Sequence, residues 1–166
     1  MNILAQVIGG IGILIWIVSI QRKNKSDILI YQGIANIFIA IQYFILGVYT
    51  PALIDVSTSA RSFIFSGYSK KDKSIPIIWL FIFLLITIFF GIVSWSGFLA
   101  LIPIINTGMY VISTWLKDTK WLRIFYVVAA LFFIYYNFSV GAYIMLVGNS
   151  FEVISGIYSI IKYNKN

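Results

Sequence analysis

Pro51-Ala-Leu-Ile-Asp-Val-Ser-Thr-Ser-Ala-Arg-Ser-Phe-Ile-Phe-Ser-Gly-Tyr68 has the length and apolar background of a membrane span, yet it holds Asp55 and Arg61. An ionisable group at the centre of a bilayer-crossing helix costs at least ~2.5 kcal/mol, so it normally faces a protein interior or a wet cavity. Asp55, Ser59, Ser62 and Ser66 fall at i, i+4, i+7 and i+11, which is one face of a helix. A polar stripe on a membrane helix points inward. The rest of the chain has to supply what it points at.

The composition agrees with that reading. The chain has 166 residues, 61% hydrophobic and 10% charged, with a mean hydropathy of +0.97. This much apolar surface marks a polytopic membrane protein with no soluble domain appended. Cysteine and histidine are both absent, which excludes disulfides, Cys/His zinc sites, thiol chemistry and histidine proton relays. The net charge of +7 sits in short loops between apolar runs, so it reads as topology and not as a nucleic-acid surface. The first run lacks a basic leader and an A-x-A-type cleavage site, so it is expected to remain as a helix.

Seven spans are predicted, at 3–20, 28–47, 51–68, 76–95, 97–115, 121–138 and 141–161. Each approaches the ~20 residues that a bilayer core requires. Arg22, Lys23 and Lys25 follow the first span, and Lys70, Lys71 and Lys73 follow the third. Lys117, Lys120 and Arg123 follow the fifth, and Lys162 and Lys165 close the chain. The alternate connections, near Val48–Thr50, Ser96 and Ser139–Val140, carry no charge. Eleven of the twelve Lys and Arg residues therefore lie on one side, the twelfth being Arg61. The positive-inside rule then places the N-terminus outside and the C-terminus in the cytoplasm of a multi-pass cell-membrane protein.

A shift of 94 residues overlays the first three spans on the last three. Leu46-Gly-Val-Tyr49 falls on Val140-Gly-Ala-Tyr143, Ser19 on Ser113, Lys23 on Lys117 and Asp55 on Asn149. The expected fold is an all-α membrane protein of two parallel three-helix repeats joined by a linker helix. Its parts are a first bundle over 1–68, a linker over 69–96 and a second bundle over 97–166. The linker span is apolar all round and is expected at the periphery, facing lipid.

Asp55 lies near the outer end of its span. It reads either as a contact for cargo or a proton, or as an acceptor for hydroxyls of neighbouring helices. By the repeat, Glu152 corresponds to Thr58, which puts Arg61 one turn deeper, ~5.4 Å along the axis. An Arg61–Glu152 ion pair is expected, either as a gate or as a permanent brace; a snorkelling arginine is the other reading. Asn149, Glu152, Gly156 and Ser159 form a second stripe at i, i+3, i+7 and i+10. Asn36, Asn106 and Thr107 lie mid-span. Together with Asn149 they either line a midplane cavity or make ordinary interhelical hydrogen bonds. Pro103 frees a backbone carbonyl and is the candidate hinge. Gly9, Gly10 and Gly12 read as close helix packing. Trp16, Trp95, Trp115 and Trp121, with Tyr49 and Tyr163, read as interfacial anchors. Tyr135 and Tyr136 are the aromatics considered for stacking on cargo. There is no nucleophile–base pair and too few intramembrane acids for a magnesium site, so neither an enzyme, a metal nor a cofactor is expected.

The local text resembles the bacterial inner-membrane YgjV family, within the SWEET, SemiSWEET and PQ-loop transporter superfamily. The residues that carry the resemblance are Ser19-Ile-Gln-Arg-Lys-Asn-Lys-Ser26, Gln42-Tyr-Phe-Ile-Leu-Gly47 and Ala52 through Arg61. Phe133-Ile-Tyr-Tyr-Asn137 and Phe151-Glu-Val-Ile-Ser155 add to it. SWEET-like proteins offer an asparagine to the substrate from the third helix of each half. The resemblance puts Asn149 in that position, with Asp55 as its partner in place of a second asparagine. It also aligns Pro103 with the helix-bending prolines of the superfamily, whereas Gln21 lacks the proline that would complete a proline–glutamine pair. What the resemblance implies is a small-solute transporter; read with the residues, it is expected to work by alternating access at a midplane site, with Asp55, Asn149 and Glu152 as contacts for cargo or a proton and Asn36 and Asn106 flanking them. The mixed charges favour a charged or zwitterionic cargo over a plain sugar. A receptor, or a regulatory or structural subunit on the same scaffold, is the alternative. The expected partners are that solute and the lipid bilayer, with no nucleic acid; a homo-oligomer stays open.

Overall fold

The computed structural model describes residues 3–45, 49–93, 98, 101–139 and 143–163. Seven helices account for nearly all of them: α1 (Ile3–Ile20), α2 (Lys25–Ile45), α3 (Tyr49–Lys70), α4 (Ile77–Val93), α5 (Leu101–Trp115), α6 (Thr119–Ser139) and α7 (Tyr143–Tyr163). There is no strand among the described residues. The helices coincide with the seven apolar runs, their ends displaced by a few residues.

Polar residues set those ends. Asn24 precedes α2, and Asp27 places a negative charge in its first turn, where the helix dipole favours one. Asp118 caps α6 by accepting from the Lys120 amide at 2.8 Å. α3 closes in a Schellman turn. The Lys73 amide reaches the Tyr68 carbonyl at 3.0 Å, the Asp72 amide reaches that of Ser69 at 3.1 Å, and Asp72 takes the left-handed φ of 51° between them.

The burial pattern is inverted relative to a soluble protein. Apolar side chains at one face of α1 (Ile3, Val7, Ile11, Leu14, Val18) and one of α4 (Ile78, Phe81, Leu85, Phe89, Ile92) are exposed. Polar side chains such as Ser19, Gln32, Asn36, Arg61, Asn106 and Glu152 are buried. That arrangement suits hydrocarbon as solvent. Among the described residues, three helical segments have the length and composition to cross a membrane: Ile3–Ile20, Lys25–Ile45 and Thr119–Tyr136. α4 is apolar but shorter, at 17 residues. α3 and α7 are long enough, at 22 and 21 residues, but their serines and charged groups dilute the hydropathy.

The helices cluster into two compact units, Met1–Ser74 and Ile75–Asn166. In the first, α2 packs on both α1 and α3. Gly12 lets α1 approach closely: a Cβ there would meet the Ala35 carbonyl oxygen at 3.1 Å and Ile39 Cγ1 at 2.8 Å. Gly33 does the same for α3, whose Phe63 ring would lie 2.9 Å from a Cβ added there. In the second unit α4 packs on α5, α5 on α6 and α6 on α7. Gly91 of α4 receives Ile104 of α5, and Gly156 of α7 receives Val127 of α6. Trp115 Nε1 donates to the Ile75 carbonyl at 2.9 Å, tying the end of α5 to the start of the α4 segment.

Contacts inside the two units recur at a spacing of 94. Gly12 faces the Ala35 carbonyl, and Asn106 Nδ2 donates to the Ala129 carbonyl at 3.0 Å. Gly33 meets Phe63, and its equivalent Val127 meets Gly156, so the small residue has changed helix while the contact point on the first helix has kept its register. Ser19 Oγ donates to the Trp16 carbonyl, and Ser113 Oγ to the Tyr110 carbonyl.

Candidate functional site

In the first unit the polar stripe of α3 divides between two tasks. Ser59 Oγ donates to the Gly33 carbonyl at 2.9 Å, and Ser66 Oγ donates to the Ser26 carbonyl at 3.2 Å. These hydroxyls form the edge of α3 that meets α2. They also set the antiparallel register, 59 against 33 and 66 against 26. In that register Asp55 stands level with position 37, within about one residue's rise (~1.5 Å) of Asn36. Gln32 lies about one turn deeper than Asn36, and Ser62 about two turns (~10.5 Å) deeper than Asp55.

The helical wheel puts these groups on one flank. α2 exposes Ile37, Ile41 and Ile45, and α3 exposes Leu53, Val56 and Phe63. Gln32 and Asn36 face away from the exposed side of α2, while Ser62, with Asp55 beside it, faces away from that of α3. Because antiparallel helices wind their residues in opposite senses, these positions fall on the same flank of the α2–α3 contact. Asn36 is 4% exposed and Ser62 1%. Asn36 Nδ2 and Ser62 Oγ are buried with no hydrogen-bond partner among the described residues. Asp55 is half-buried and likewise has no hydrogen-bond or ion-pair partner among them. A buried polar group without a partner costs ~1–3 kcal/mol, so Asn36 Nδ2 and Ser62 Oγ on this flank call for an explanation.

The second unit places different chemistry at the equivalent positions. Glu152, 4% exposed, accepts from Tyr110 Oη through Oε1 at 3.1 Å. Its Oε2 accepts from Asn149 Nδ2 at 3.2 Å, one turn earlier on α7. The Tyr110 ring is edge-on to Tyr126 at 5.0 Å and stacks on Phe133 at 6.4 Å. Asn106 lies one turn before Tyr110. It uses Nδ2 on the Ala129 carbonyl and keeps Oδ1 buried with no partner among the described residues. The carboxylate is thus held by two donors inside an aromatic wall. Ser155 and Ser159 continue the stripe, buried, toward the end of α7.

The structure therefore brings Asn149 and Glu152 together in one unit and sets Asn36 beside the level of Asp55 in the other. Arg61 is buried within the first unit. Pro103 lies in α5, with its side chain outside the described residues. Tyr136 packs edge-on against Phe133 at 6.4 Å, while Tyr135 is exposed. Sequence reasoning missed Tyr110, Gln32 and Lys25. Tyr110 is i+4 from Asn106 and Gln32 is i−4 from Asn36, so extending each mid-span asparagine by one turn finds both. Lys25 is buried at 7% exposure at the start of α2, on the same face as Gln32. No group of three or more His, Cys, Asp or Glu able to hold a metal occurs among the described residues.

The sequence model of the Imp-YgjV family, described as a bacterial inner membrane protein, matches residues 3–166. Comparison with curated proteins and with solved structures gives no match.

Proposed function

The chain belongs to the Imp-YgjV family of bacterial inner membrane proteins, and from that premise we propose that it carries a small polar solute across the membrane by alternating access. In this reading all seven helices cross the bilayer, with the N-terminus outside and the C-terminus in the cytoplasm. α1–α3 and α5–α7 are parallel repeats of the SWEET-like kind, and α4 is the linker. The equivalent contacts at a spacing of 94 support the repeat, because unrelated three-helix units have no reason to meet at matching positions.

The observation that carries the transport reading is the flank of Asn36, Asp55 and Ser62. Asn36 Nδ2 and Asp55 stand there at one depth without protein partners among the described residues, with Ser62 Oγ about two turns further along α3. Asp55 and Asn36 of the first half, with Asn149, Glu152 and Asn106 of the second, are the proposed contacts for cargo or a proton. Arg61 pairs with Glu152 as brace or gate, and Pro103 is the proposed rocking point. A receptor or a structural subunit without transport is the second reading. It is favoured by Ser59, Ser66 and Asn106, whose donors are used on neighbouring backbones as ordinary helix–helix glue.

The test is reconstitution in liposomes with a panel of polar solutes, comparing wild type with Asp55→Asn and Glu152→Gln. Transport predicts uptake that at least one of the two substitutions lowers tenfold or more. Wild-type uptake unaffected by either would refute the site, and no uptake of any solute would favour the second reading.

A further inference from the structure

We propose that the end of α7 in the second unit binds an anionic phospholipid, with its acyl chains along α7 and its phosphate at Lys162. The proposal rests on the reading that α7 crosses the bilayer, and not on transport. Phe151, Ile154, Tyr158 and Ile161 are exposed at i, i+3, i+7 and i+10, which makes an apolar stripe along α7. Lys162 follows at i+11, close to the line of Phe151 and in the last turn of the helix. Its ammonium lies 5.6 Å from the centre of the Tyr158 ring and 5.3 Å from that of Tyr163. The guanidinium of Arg123, near the start of α6, lies 4.6 Å from the centre of the same Tyr163 ring. These ring contacts join side chains of α6 and α7 into one cluster.

The charge of the cluster gives the ligand its sign. Lys162 is exposed yet folded over two aromatic rings, whereas a lysine that only snorkels extends into water. Apart from those rings it has no hydrogen-bond or ion-pair partner among the described residues. Arg123 is 2% exposed, so it acts as a buried positive charge against Tyr163 and not as a direct contact for the ligand. Both cations are placed from one ring centre. They therefore lie within ~10 Å of each other, about a Debye length at physiological salt, and their fields add. The acid that faces the cluster is Asp118, which acts on Arg123 and answers part of the charge. An anion at Lys162 answers the rest.

The stripe decides that this anion is a lipid. Tyr158 is one turn, ~5.4 Å, before Lys162, so apolar surface and cation are contiguous, the juxtaposition that holds lipid headgroups on membrane helices. Free phosphate would use the lysine and leave the stripe idle. The first unit has no such cluster, because a shift of 94 residues carries Tyr158 onto Ile64 and Lys162 onto Tyr68. Its lysines beyond Tyr68, Lys70, Lys71 and Lys73, are exposed without a ring contact among the described residues.

The experiment takes the full-length protein, delipidated in detergent, and measures lipid binding by native mass spectrometry. Phosphatidylglycerol and phosphatidylcholine with the same acyl chains are compared, with inorganic phosphate as a soluble competitor. Phosphatidylglycerol should bind about fivefold tighter than phosphatidylcholine, the preference that one lysine near an anionic headgroup contributes. Lys162→Gln should abolish that preference and Lys162→Arg should keep it. Tyr163→Leu, which frees the lysine from one ring, should lower it, and Tyr163→Phe should not; this pair also decides the matter if Lys162→Gln is not recovered folded. Lys71→Gln makes the same charge change at the end of α3 and should have no effect. The proposal is overturned if the two lipids bind alike or if Lys162→Gln keeps the preference. It is also overturned if Lys71→Gln lowers the preference as much, or if inorganic phosphate displaces the lipid at equal concentration. Ile154→Cys in liposomes separates the site from the span it rests on. Labelling there by a water-soluble maleimide removes the span and the proposal with it, whereas protection without lipid preference removes the proposal alone.

Discussion

Glu152 shows how one side chain acquires its setting. A carboxylate on a membrane helix needs donors, and this one has Tyr110 and Asn149 on its two oxygens. Tyr110→Phe keeps the ring against Tyr126 and Phe133 and deletes only the hydroxyl. The expected loss is about 1–2 kcal/mol of unfolding free energy, between the average for interhelical bonds in membranes and that for bonds to charged groups. Glu152→Gln keeps an acceptor for Asn149 Nδ2 and turns an NH2 toward the Tyr110 hydroxyl, which can accept from it, so it should cost less. Denaturation in mixed micelles, followed by tryptophan fluorescence, measures both. A Tyr110→Phe variant as stable as wild type would remove the hydroxyl from the account. The sequence made Glu152 visible, since an acid within an apolar run is conspicuous. Its donor was not visible, because a tyrosine among many aromatics reads as packing or as an interfacial anchor until its partner is known.

At the scale of the helix, periodicity named the polar face of α3 but could not divide it. Asp55, Ser59, Ser62 and Ser66 span less than a quarter-turn, and only the position of α2 decides which of them are used on it. Ser59 and Ser66 are; Asp55 and Ser62 are left on the flank. The glycines of α1 make the same point. The sequence reads Gly9, Gly10 and Gly12 alike, yet a Cβ on Gly10 would meet nothing within 4 Å, whereas one on Gly12 would press on the Ala35 backbone. A backbone carbonyl cannot step aside as a side chain can. Gly12→Ala should therefore cost about 1–3 kcal/mol through overpacking. Gly10→Ala should be neutral or stabilising by up to ~1 kcal/mol, from the helix propensity of alanine. Melting temperatures of the two variants, purified side by side, decide it. Equal shifts would mean that α1 does not approach α2 through Gly12.

For the whole molecule, the helix count was legible because seven apolar runs are separated by loops of alternating charge. Orientation is a further inference from that charge, and it depends most on α4. The described α4 of 17 residues spans ~26 Å, a little under the ~30 Å of a bilayer core, and it is the segment between the two halves of the chain. If α4 crosses, Lys71 and Lys117 are cytoplasmic while Ser96 lies outside. If α4 does not cross, Ser96 joins the side of Lys71 and the second half changes orientation relative to the first. The two halves would then be inverted and not parallel, and a solute site built on matching positions would lose its basis. The chain has no cysteine, so each introduced thiol is unique. In intact spheroplasts a membrane-impermeant maleimide should label Ser96→Cys, and it should leave Lys71→Cys and Lys117→Cys untouched until the cells are opened. Labelling of Lys117→Cys from outside, with Lys71→Cys protected, would show that the charge alternation had been read through a span that is not there.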